Sequence, residues 1–485
     1  MCGITGIFNL NKPQFDSKAL DYLSSVSKSI SHRGTDQVSI GDYSSCTILF
    51  NRLAITNLSS NQPGGEDWIV YLNGEIYNYK ELGYSGSECE VISKGLYEYG
   101  PDFVTKLNGM FVIVAIKGKD TWIFRDRYGI KPLYYSTRKD GSIIFSSEIK
   151  PLIVDNSIIN HEVEEQWLTF NNVFTDETLF SGVKKLEKGT YWHLNTNTKV
   201  KYWEWQFTPT HIDYDFAKSE VRRLVIQAIN RQTPTEVEYG SCLSGGIDSN
   251  IIYRVLGEDT LTYTASFPLG VDESKLLDLK PNNKVRVFTD IEFFNETIYH
   301  LEDLRVGASW SNYGLYQLAS TEVKVLFDGA GADELFGGYR WRYLAEDYYE
   351  VVNRTGRASS VSREVFSKVF KQDTLENRFK FDADYFLEGV LLVCDRLSMA
   401  HTIEMRVPFL DNDLVDFCLT LPNEYKKDKK ILKEAFSYLL PNNILTAKKH
   451  GFSSPDLFKG EGNQAEKWSK AALEKWKYFY DNRYL

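Results

Sequence analysis

Apolar and aromatic runs recur along the first two hundred residues, and short polar or glycine turns separate many of them, as is typical of β-strands. Two stretches, residues 15–30 and 88–99, carry helical spacing instead. The runs that predict strands are residues 4–10, 46–55, 68–79, 110–116, 122–124 and 143–145. Locally paired strands with a few helices predict an α+β domain of stacked sheets and helices.

The pattern changes after Thr208-Pro209-Thr210, which interrupts the last strand-like segment and indicates a domain end. Alternating β and α elements then predict a doubly wound parallel sheet. From about residue 332 onward no comparable strand appears, so this part is expected to be helical. We therefore predict two domains, residues 2–205 and 213–485. The apolar runs that alternate with helical stretches are residues 237–243, 261–267, 285–288 and 323–327.

Composition excludes several classes of protein. A chain of 485 residues with 42% hydrophobic residues can build two cores and is not disordered. Its net charge of -10 offers no broad basic face, so no nucleic-acid partner is expected, and the basic cluster at residues 426–430 is interpreted as a solvated surface turn. Six cysteines without a CxxC pair indicate neither a zinc site nor a disulfide framework. No basic leader or long apolar segment is visible, which predicts a cytoplasmic protein without a membrane partner.

Cys2 is the first candidate for chemistry. Removal of Met1 would leave a thiol and a free α-amine on one residue, so that the amine could take the thiol proton without a separate histidine. The alternative is a cysteine that packs like any small apolar residue.

Polar groups further along the chain fit an amino acid with an amide side chain. Asn73 and Gly74 could hold an oxyanion with a side-chain amide and a backbone N–H, although an Asn-Gly pair is also typical of a hairpin turn. Arg52 can grip a carboxylate, and Glu75 and Glu88 can receive an ammonium, although such charges are also common in surface pairs. Together these groups suit glutamine.

The N-terminal segments MCGITGIF, SHRG, NRLAI, NGEIYNY, SGSECEVI, RDRYGIKPLYY and SSEIK resemble, in this order, the class II glutamine amidotransferase domain. That domain is an N-terminal-nucleophile hydrolase sandwich. The resemblance implies that Cys2 attacks glutamine, that Asn73 and Gly74 form the oxyanion hole, and that Arg52, Glu75 and Glu88 hold the main-chain groups of the substrate. The family usually has Asp where Glu88 stands, so this carboxylate is one methylene longer.

The segment SCLSGGIDSN follows a predicted strand and opens a helix, an arrangement that can present hydroxyls and backbone N–H groups to phosphate oxygens. It lacks the lysine of a Walker loop, which argues against γ-phosphoryl transfer. Asp248 could hold Mg²⁺. A second element, DGAGADELFGGY, also lies between a strand and a helix and would bring Asp333 to the same metal, whereas the alternative is a tight turn with a helix cap.

Both elements resemble the ATP pyrophosphatase domain of asparagine synthetase B-type enzymes, and DRLSMAHTIEMRVPFLD and KKHGF extend the resemblance nearly to the C-terminus. It implies ATP as a substrate, Mg²⁺ at Asp248 and Asp333, and Lys449 as a charge-stabilising catalytic residue. Arg406 is interpreted as structural or interdomain. The residues that the resemblance assigns to ATP are Leu243, Ser244, Gly245, Gly246, Asp248, Ser249, Ser266 and Gly329.

One departure concerns the acceptor. The family usually has an acidic residue between the two glycines where this chain has Ala330. Either Asp328 or another carboxylate substitutes for it, or the acceptor is not aspartate. Three functions follow: asparagine synthesis from glutamine, ATP and aspartate; amidation of, or ring closure on, a different carboxylate; or a glutaminase or regulatory protein with an inactive synthetase half. A homodimer is kept open.

Overall fold

The computed structural model describes residues 2–11, 17–153, 158–270, 272–306, 309–447 and 456–480. Sixteen strands lie within these ranges: β1 Gly3–Phe8, β2 Gln37–Asp42, β3 Cys46–Arg52, β4 Ile69–Ile76, β5 Gly109–Lys117, β6 Asp120–Arg125, β7 Tyr134–Thr137, β8 Ile143–Ser146, β9 Lys184–Lys185, β10 Thr190–His193, β11 Thr198–Lys201, β12 Tyr239–Cys242, β13 Leu261–Ser266, β14 Asn283–Val287, β15 Val325–Phe327 and β16 Glu404–Arg406.

The same ranges contain these α-helices: α1 Ser17–Val26, α2 Glu88–Tyr99, α3 His161–Phe170, α4 Tyr214–Gln232, α5 Ile247–Leu256, α6 Phe294–Leu301, α7 Trp310–Ala319, α8 Ala332–Leu335, α9 Arg340–Tyr343, α10 Tyr348–Val352, α11 Ser360–Val369, α12 Leu375–Phe381, α13 Leu387–Met399, α14 Asn412–Leu419, α15 Asn423–Lys426, α16 Lys430–Ala435, α17 Asn442–Thr446 and α18 Gln464–Tyr480. None of these helices is long and apolar enough to cross a membrane.

Two antiparallel sheets form the N-terminal part. One has the strand order β2-β3-β1-β8-β7-β9 and the other β11-β10-β6-β5-β4. The central strands β1, β3 and β5 are almost entirely buried, because apolar side chains occupy both of their faces. Helix α2 begins with a capping box between Ser87 and Glu90 and packs beside β4. The predicted α+β sandwich is confirmed.

The C-terminal part is built on a parallel sheet with the strand order β14-β13-β12-β15-β16. Chain order reverses between β12 and β15, so the loops that follow these two strands open into a common crevice at the switch point of the sheet. This confirms the predicted doubly wound sheet with a helical C-terminal part. The boundaries 2–205 and 213–485 stay predictions; α4 begins just beyond Asp213, whose side chain caps it.

One strand contradicts the prediction that no strand follows residue 332. Strand β16 pairs in parallel with β15 at the edge of the sheet. Its sequence, Glu-Met-Arg, has no apolar alternation. Glu404 and Arg406 are nevertheless buried, because they form an ion pair in which Arg406 Nε lies 2.7 Å from Glu404 Oε1. A hydrophobic pattern does not predict a three-residue strand that is stabilised by an ion pair.

The two parts are joined by buried ion pairs. The guanidinium of Arg33, which is fully buried, bonds Asp395 on α13 at 2.9 and 3.2 Å and Glu148 at 3.1 Å. Arg396 lies between Glu148 and Glu302, 3.2 Å from each. Removal of one partner from such a buried group would leave an uncompensated charge. These ion pairs therefore fix the contact between the two parts.

Candidate active site

Cys2 immediately precedes β1, and its side chain is almost fully buried. Its backbone N–H donates to Asn73 Oδ1 at 3.0 Å, and its Sγ is 3.9 Å from the carbonyl oxygen of Leu53. Burial raises the pKa of the Cys2 thiol. A thiol in this setting needs a nearby base to become a nucleophile, and Asn73 holds the nitrogen of the same residue in place.

Asn73 and Gly74 lie inside β4, paired with β5, and therefore do not form a hairpin turn. The Asn73 amide Nδ2 donates to Ser147 Oγ at 3.3 Å. Gly74 has a φ of 139°, and a Cβ atom there would lie 1.9 Å from the carbonyl oxygen of Met110. Only glycine fits, so the backbone distortion that follows Asn73 depends on this residue.

The three residues predicted to hold glutamine are all buried, and each contacts protein groups. Arg52 donates to the carbonyl oxygens of Ser60 and, at 3.0 Å, of Asn57. Glu88 Oε1 accepts from the Ile76 N–H at 2.6 Å, so its longer side chain reaches the end of β4.

Glu75 links the two parts of the chain. Its Oε2 accepts from Thr56 Oγ1 at 2.7 Å and lies 3.5 Å from Arg406 Nη2. Burial, with a smaller contribution from Glu404, raises the pKa of Glu75 to about 7. Arg406 thus contacts the N-terminal part of the chain, in agreement with its interpretation as structural or interdomain.

The first glycine-rich loop lies between β12 and α5, at the switch point of the parallel sheet. Its conformation is set internally, because Ser244 N–H donates to Ser249 Oγ and Gly246 N–H donates to Ser244 Oγ, both at 3.1 Å. A Cβ on Gly245 would approach Leu276 Cδ1 to 2.8 Å. The Thr264 Oγ1 hydroxyl donates to the Leu243 carbonyl at 2.8 Å, and Ser266 Oγ donates to Asp272 at 3.0 Å.

The second glycine-rich loop follows β15 and meets the first. A Cβ on Gly329 would lie 2.8 Å from the Cβ of Asp248, so glycine is what allows the loops to approach. The structure therefore brings Asp248 and Asp333 to one place, as predicted. Within the described ranges, no group of three or more His, Cys, Asp or Glu residues that could hold a metal occurs.

Lys429 completes this cluster and was not predicted. Its Nζ bonds the carboxylate of Asp248 and lies 2.6 Å from Asp333 Oδ1, and only 4% of the residue is exposed. Burial opposes the charged form, but the two carboxylates outweigh it and raise the pKa of Lys429 above its ordinary value.

The interpretation of residues 426–430 as a solvated turn was therefore wrong for part of the segment. Lys429 is buried by its ion pairs, and Lys426 is buried against the rings of Phe207 and Phe379. Lys427 and Lys430 are exposed. Lys426 and Lys429 are three residues apart, between Tyr425 and Ile431, and this spacing was the available signal.

Two expectations about this site have different outcomes. Lys449 lies outside the described residues, so its role stays a prediction. Ala330 lies in the second loop, and its N–H donates to Asp328 Oδ1 at 2.9 Å. One carboxylate oxygen of Asp328 therefore accepts a hydrogen bond from Ala330, the residue at the position where the family has an acidic side chain.

Glu334, next to Asp333, is buried and accepts from Tyr339 O–H at 2.8 Å. Burial, with the adjacent Asp333 carboxylate, raises the pKa of Glu334 from 4.5 to about 7. Between these values the folded protein binds more protons than the unfolded chain, so this group contributes stability at low pH that is lost as pH rises to 7.

We expect Glu334→Gln to remove this dependence, because glutamine is neutral at every pH. Relative to the wild type, the variant should gain about 2 kcal/mol in free energy of unfolding between pH 5 and pH 7. Urea denaturation at both pH values measures this difference, with the exposed Glu424→Gln as the control. Equal pH dependence in wild type and Glu334→Gln would show that Glu334 has an ordinary pKa.

A model of the family described as asparagine synthase matches residues 220–483, which is more than half of the chain. The chain belongs to the asparagine synthase family. A model described as a glutamine amidotransferase domain matches residues 1–203. The resemblance stated from the sequence motifs is therefore confirmed.

Two relatives are similar to this chain over most of its length. It is 28% identical to asparagine synthetase [glutamine-hydrolyzing] 1 of Bacillus subtilis, over 98% of this chain and 89% of the relative. It is 27% identical to asparagine synthetase [glutamine-hydrolyzing] 2 of Oryza sativa, over 93% of this chain and 77% of that protein. The match includes both predicted domains of this chain.

Proposed function

We propose that this protein is a glutamine-dependent amide synthetase. Glutamine is hydrolysed at Cys2, and the ammonia attacks an acyl adenylate made from ATP and a carboxylate. Aspartate is the proposed carboxylate, which gives asparagine, AMP and pyrophosphate. The names of the relatives and the match to both family models support this assignment.

The observation that carries the proposal is the meeting of Asp248 and Asp333 at the switch point, in a chain that also buries Cys2 beside Asn73. Ligands of doubly wound sheets bind at this crevice. A glutaminase or regulatory protein with an inactive synthetase half would not need two glycine loops that meet around paired carboxylates.

At the first site, the Cys2 thiolate attacks the side-chain amide carbon of glutamine. The α-amine of Cys2, freed by removal of Met1, receives the thiol proton and delivers it to the departing ammonia. Asn73 Nδ2 and the Gly74 N–H stabilise the oxyanion, and Arg52, Glu75 and Glu88 hold the main-chain groups of glutamine. Water then hydrolyses the thioester to glutamate.

At the second site, the loop from Leu243 to Ser249, with Ser266 and Gly329, binds ATP. The donor set fits Mg²⁺, because carboxylate oxygens with substrate phosphates are its usual ligands, and Asp248 Oδ1 is buried without a hydrogen-bond partner among the described residues. Asp248 and Asp333 would hold the ion, which when bound supplies charge neutralisation for the departing pyrophosphate. Lys429, and by resemblance Lys449, offset charge on the same phosphates.

Ala330 favours a second candidate function, amidation of or ring closure on a carboxylate other than aspartate. A methyl group cannot accept a proton or orient an amine, and one oxygen of Asp328 is engaged by the Ala330 N–H. An acceptor panel with ATP that follows pyrophosphate release separates the two candidates, because the true acceptor gives the fastest release. A homodimer and a cytoplasmic location stay predictions from the sequence.

Asp333→Asn is expected to suppress pyrophosphate formation about a hundredfold or more and to spare glutaminase activity. The amide keeps the size of the side chain but removes the charge that pairs with Lys429 and would bind Mg²⁺. Glutamate release and pyrophosphate release are measured on the same preparation, with Asp416→Asn, a surface carboxylate paired with Arg127, as the control. An unchanged pyrophosphate rate would remove Asp333 from the metal site.

A further inference from the structure

The guanidinium of Arg406 approaches Glu75, one of the three residues assigned to glutamine, from the C-terminal part of the chain. Its Nη2 lies 3.5 Å from Glu75 Oε2 and is buried without a hydrogen-bond partner among the described residues. Both side chains are buried, so they attract each other more strongly than the same charges would in water. This contact crosses between the two parts of the molecule.

The other contacts of Arg406 all lie in the C-terminal part. Its Nε donates to Glu404 Oε1 at 2.7 Å, and its Nη1 donates to the carbonyl oxygen of Gln232 at the end of α4. Its backbone carbonyl accepts from the Asp328 N–H at 2.9 Å, beside the pairing of β16 with β15. These contacts fix the guanidinium, so the C-terminal part determines where it meets Glu75.

Glu75 has one carboxylate oxygen available for a ligand. Its Oε2 accepts from Thr56 Oγ1 at 2.7 Å and faces Arg406, whereas its Oε1 accepts no hydrogen bond from a described residue. Glu75 lies two residues after Asn73 on β4, so the two side chains share a face of the strand. Asn73 in turn accepts from the N–H of Cys2. An ammonium bound at Oε1 would therefore lie on the face of β4 that holds the nucleophile.

The charge of Glu75 depends on Arg406. Burial and the carboxylate of Glu404 raise the pKa of Glu75 to about 7, and Arg406 opposes both effects. Near neutral pH a part of Glu75 is therefore uncharged, and only the charged form attracts an ammonium strongly. Loss of Arg406 would increase the uncharged part. The charged or titratable groups around Glu75 are Arg406 and Glu404 on β16, Glu88 on α2, Tyr77 after β4, the N-terminus and Cys2.

We propose that Arg406 is a positioning residue of the glutamine site, which holds the Glu75 carboxylate charged and in place to receive the ammonium of glutamine. The C-terminal part thus completes a binding site whose other residues lie in the N-terminal part. This inference rests on the proposed function, because it takes Glu75 as a group that binds the ammonium of glutamine.

Arg406→Met in the full chain tests the proposal through glutamate release from glutamine without ATP. The KM for glutamine is expected to rise about tenfold or more at pH 7 with a smaller change in kcat, because a ground-state contact to the substrate is lost. The acid limb of kcat/KM should move to higher pH, since Glu75 without Arg406 needs a higher pH to become charged. Arg406→Lys keeps the charge and should restore part of both effects.

Arg231→Met is the matched control. Arg231 on α4 also links the two parts of the chain, and its ion pairs are with Glu81, Asp411 and Asp413. This variant should leave the KM for glutamine and the acid limb at their wild-type values.

Glutaramate, which is glutamine without its α-ammonium, separates positioning from a general loss of structure. Arg406→Met should slow glutaramate hydrolysis about twofold at most, because the group that Glu75 would receive is absent. Glu404→Gln is a second variant that keeps the size of the side chain. It removes a carboxylate that repels Glu75, so the acid limb should move to lower pH, opposite to its movement in Arg406→Met.

An unchanged KM and acid limb in folded Arg406→Met, or an equal loss with glutamine and glutaramate, would overturn the proposal. If Arg406→Met does not fold, an acid limb that stays in place in Glu404→Gln overturns it instead. A wild-type chain that releases no glutamate from glutamine contradicts the proposed function itself, whereas a missing effect of Arg406→Met in an active chain contradicts only the role of Arg406.

Discussion

Cys2→Ala is expected to abolish glutamine-dependent amide formation, by about a thousandfold or more, while ammonia-dependent formation continues at the wild-type rate. The thiol is the group that becomes acylated, and no other described cysteine lies in this position beside Asn73. Removal of one sulfur just before β1 leaves the distant loops around Asp248 unchanged. Product formation is measured with glutamine and with ammonium chloride as alternative nitrogen sources.

Cys46→Ala is the matched control for this variant, because Cys46 is equally buried in the same apolar cluster on the paired strand β3. It should retain both activities apart from a modest loss of stability. If Cys2→Ala lost both activities although it remained folded, the model of two separate sites connected by ammonia would be wrong.

Lys429→Met is expected to reduce pyrophosphate formation about a hundredfold or more. Methionine has nearly the length of lysine without its charge, so the carboxylates of Asp248 and Asp333 would repel each other and the phosphates would lose a cation. Loss of one partner from a buried ion pair costs about 3–5 kcal/mol, so the free energy of unfolding should fall as well. Pyrophosphate release is measured together with glutaminase activity, which reports whether the chain remains folded.

Two further variants separate catalysis from folding. Lys430→Met changes the exposed neighbour and should leave pyrophosphate formation at the wild-type level. Lys429→Arg keeps the charge and should restore stability more fully than activity, because a planar guanidinium does not reproduce a compact ammonium between two carboxylates. Pyrophosphate formation at the wild-type rate in folded Lys429→Met would show that Lys429 is only a structural counterion.

Much of the fold could be predicted because local sequence patterns mark many of its helices and strands. Helix α2 begins and ends where the spacing of residues 88–99 predicted, since a capping box marks its start. The alternation of apolar runs and helical stretches likewise predicted the doubly wound sheet. Strand β16 escaped prediction because its stability comes from the ion pair of Glu404 and Arg406, which no apolar period reveals.

The candidate site, too, could be predicted only in part. Motifs indicated Cys2, Asp248 and Asp333, and the structure brings the two aspartates together because Gly329 permits close approach of the loops. Lys429 lies 96 residues beyond Asp333 in the chain, in a segment that looks like a solvated basic turn. The position of Lys429 between Asp248 and Asp333 depends on long-range packing, which a local sequence pattern does not reveal.

Asn73 and Gly74 illustrate why local sequence left two interpretations open. An Asn-Gly pair is typical of a hairpin turn, yet here it lies in the middle of a ladder with β5. The tertiary environment decides, because the carbonyl of Met110 excludes every side chain larger than hydrogen at position 74.

We propose that glutamine hydrolysis and carboxylate activation in one chain together make asparagine. Purified protein with ATP, Mg²⁺, glutamine and aspartate, analysed by mass spectrometry against a control without aspartate, tests it most directly. We expect asparagine, AMP and pyrophosphate to appear together and only when aspartate is present. Glutamate that accumulates without asparagine or AMP would contradict aspartate as the acceptor.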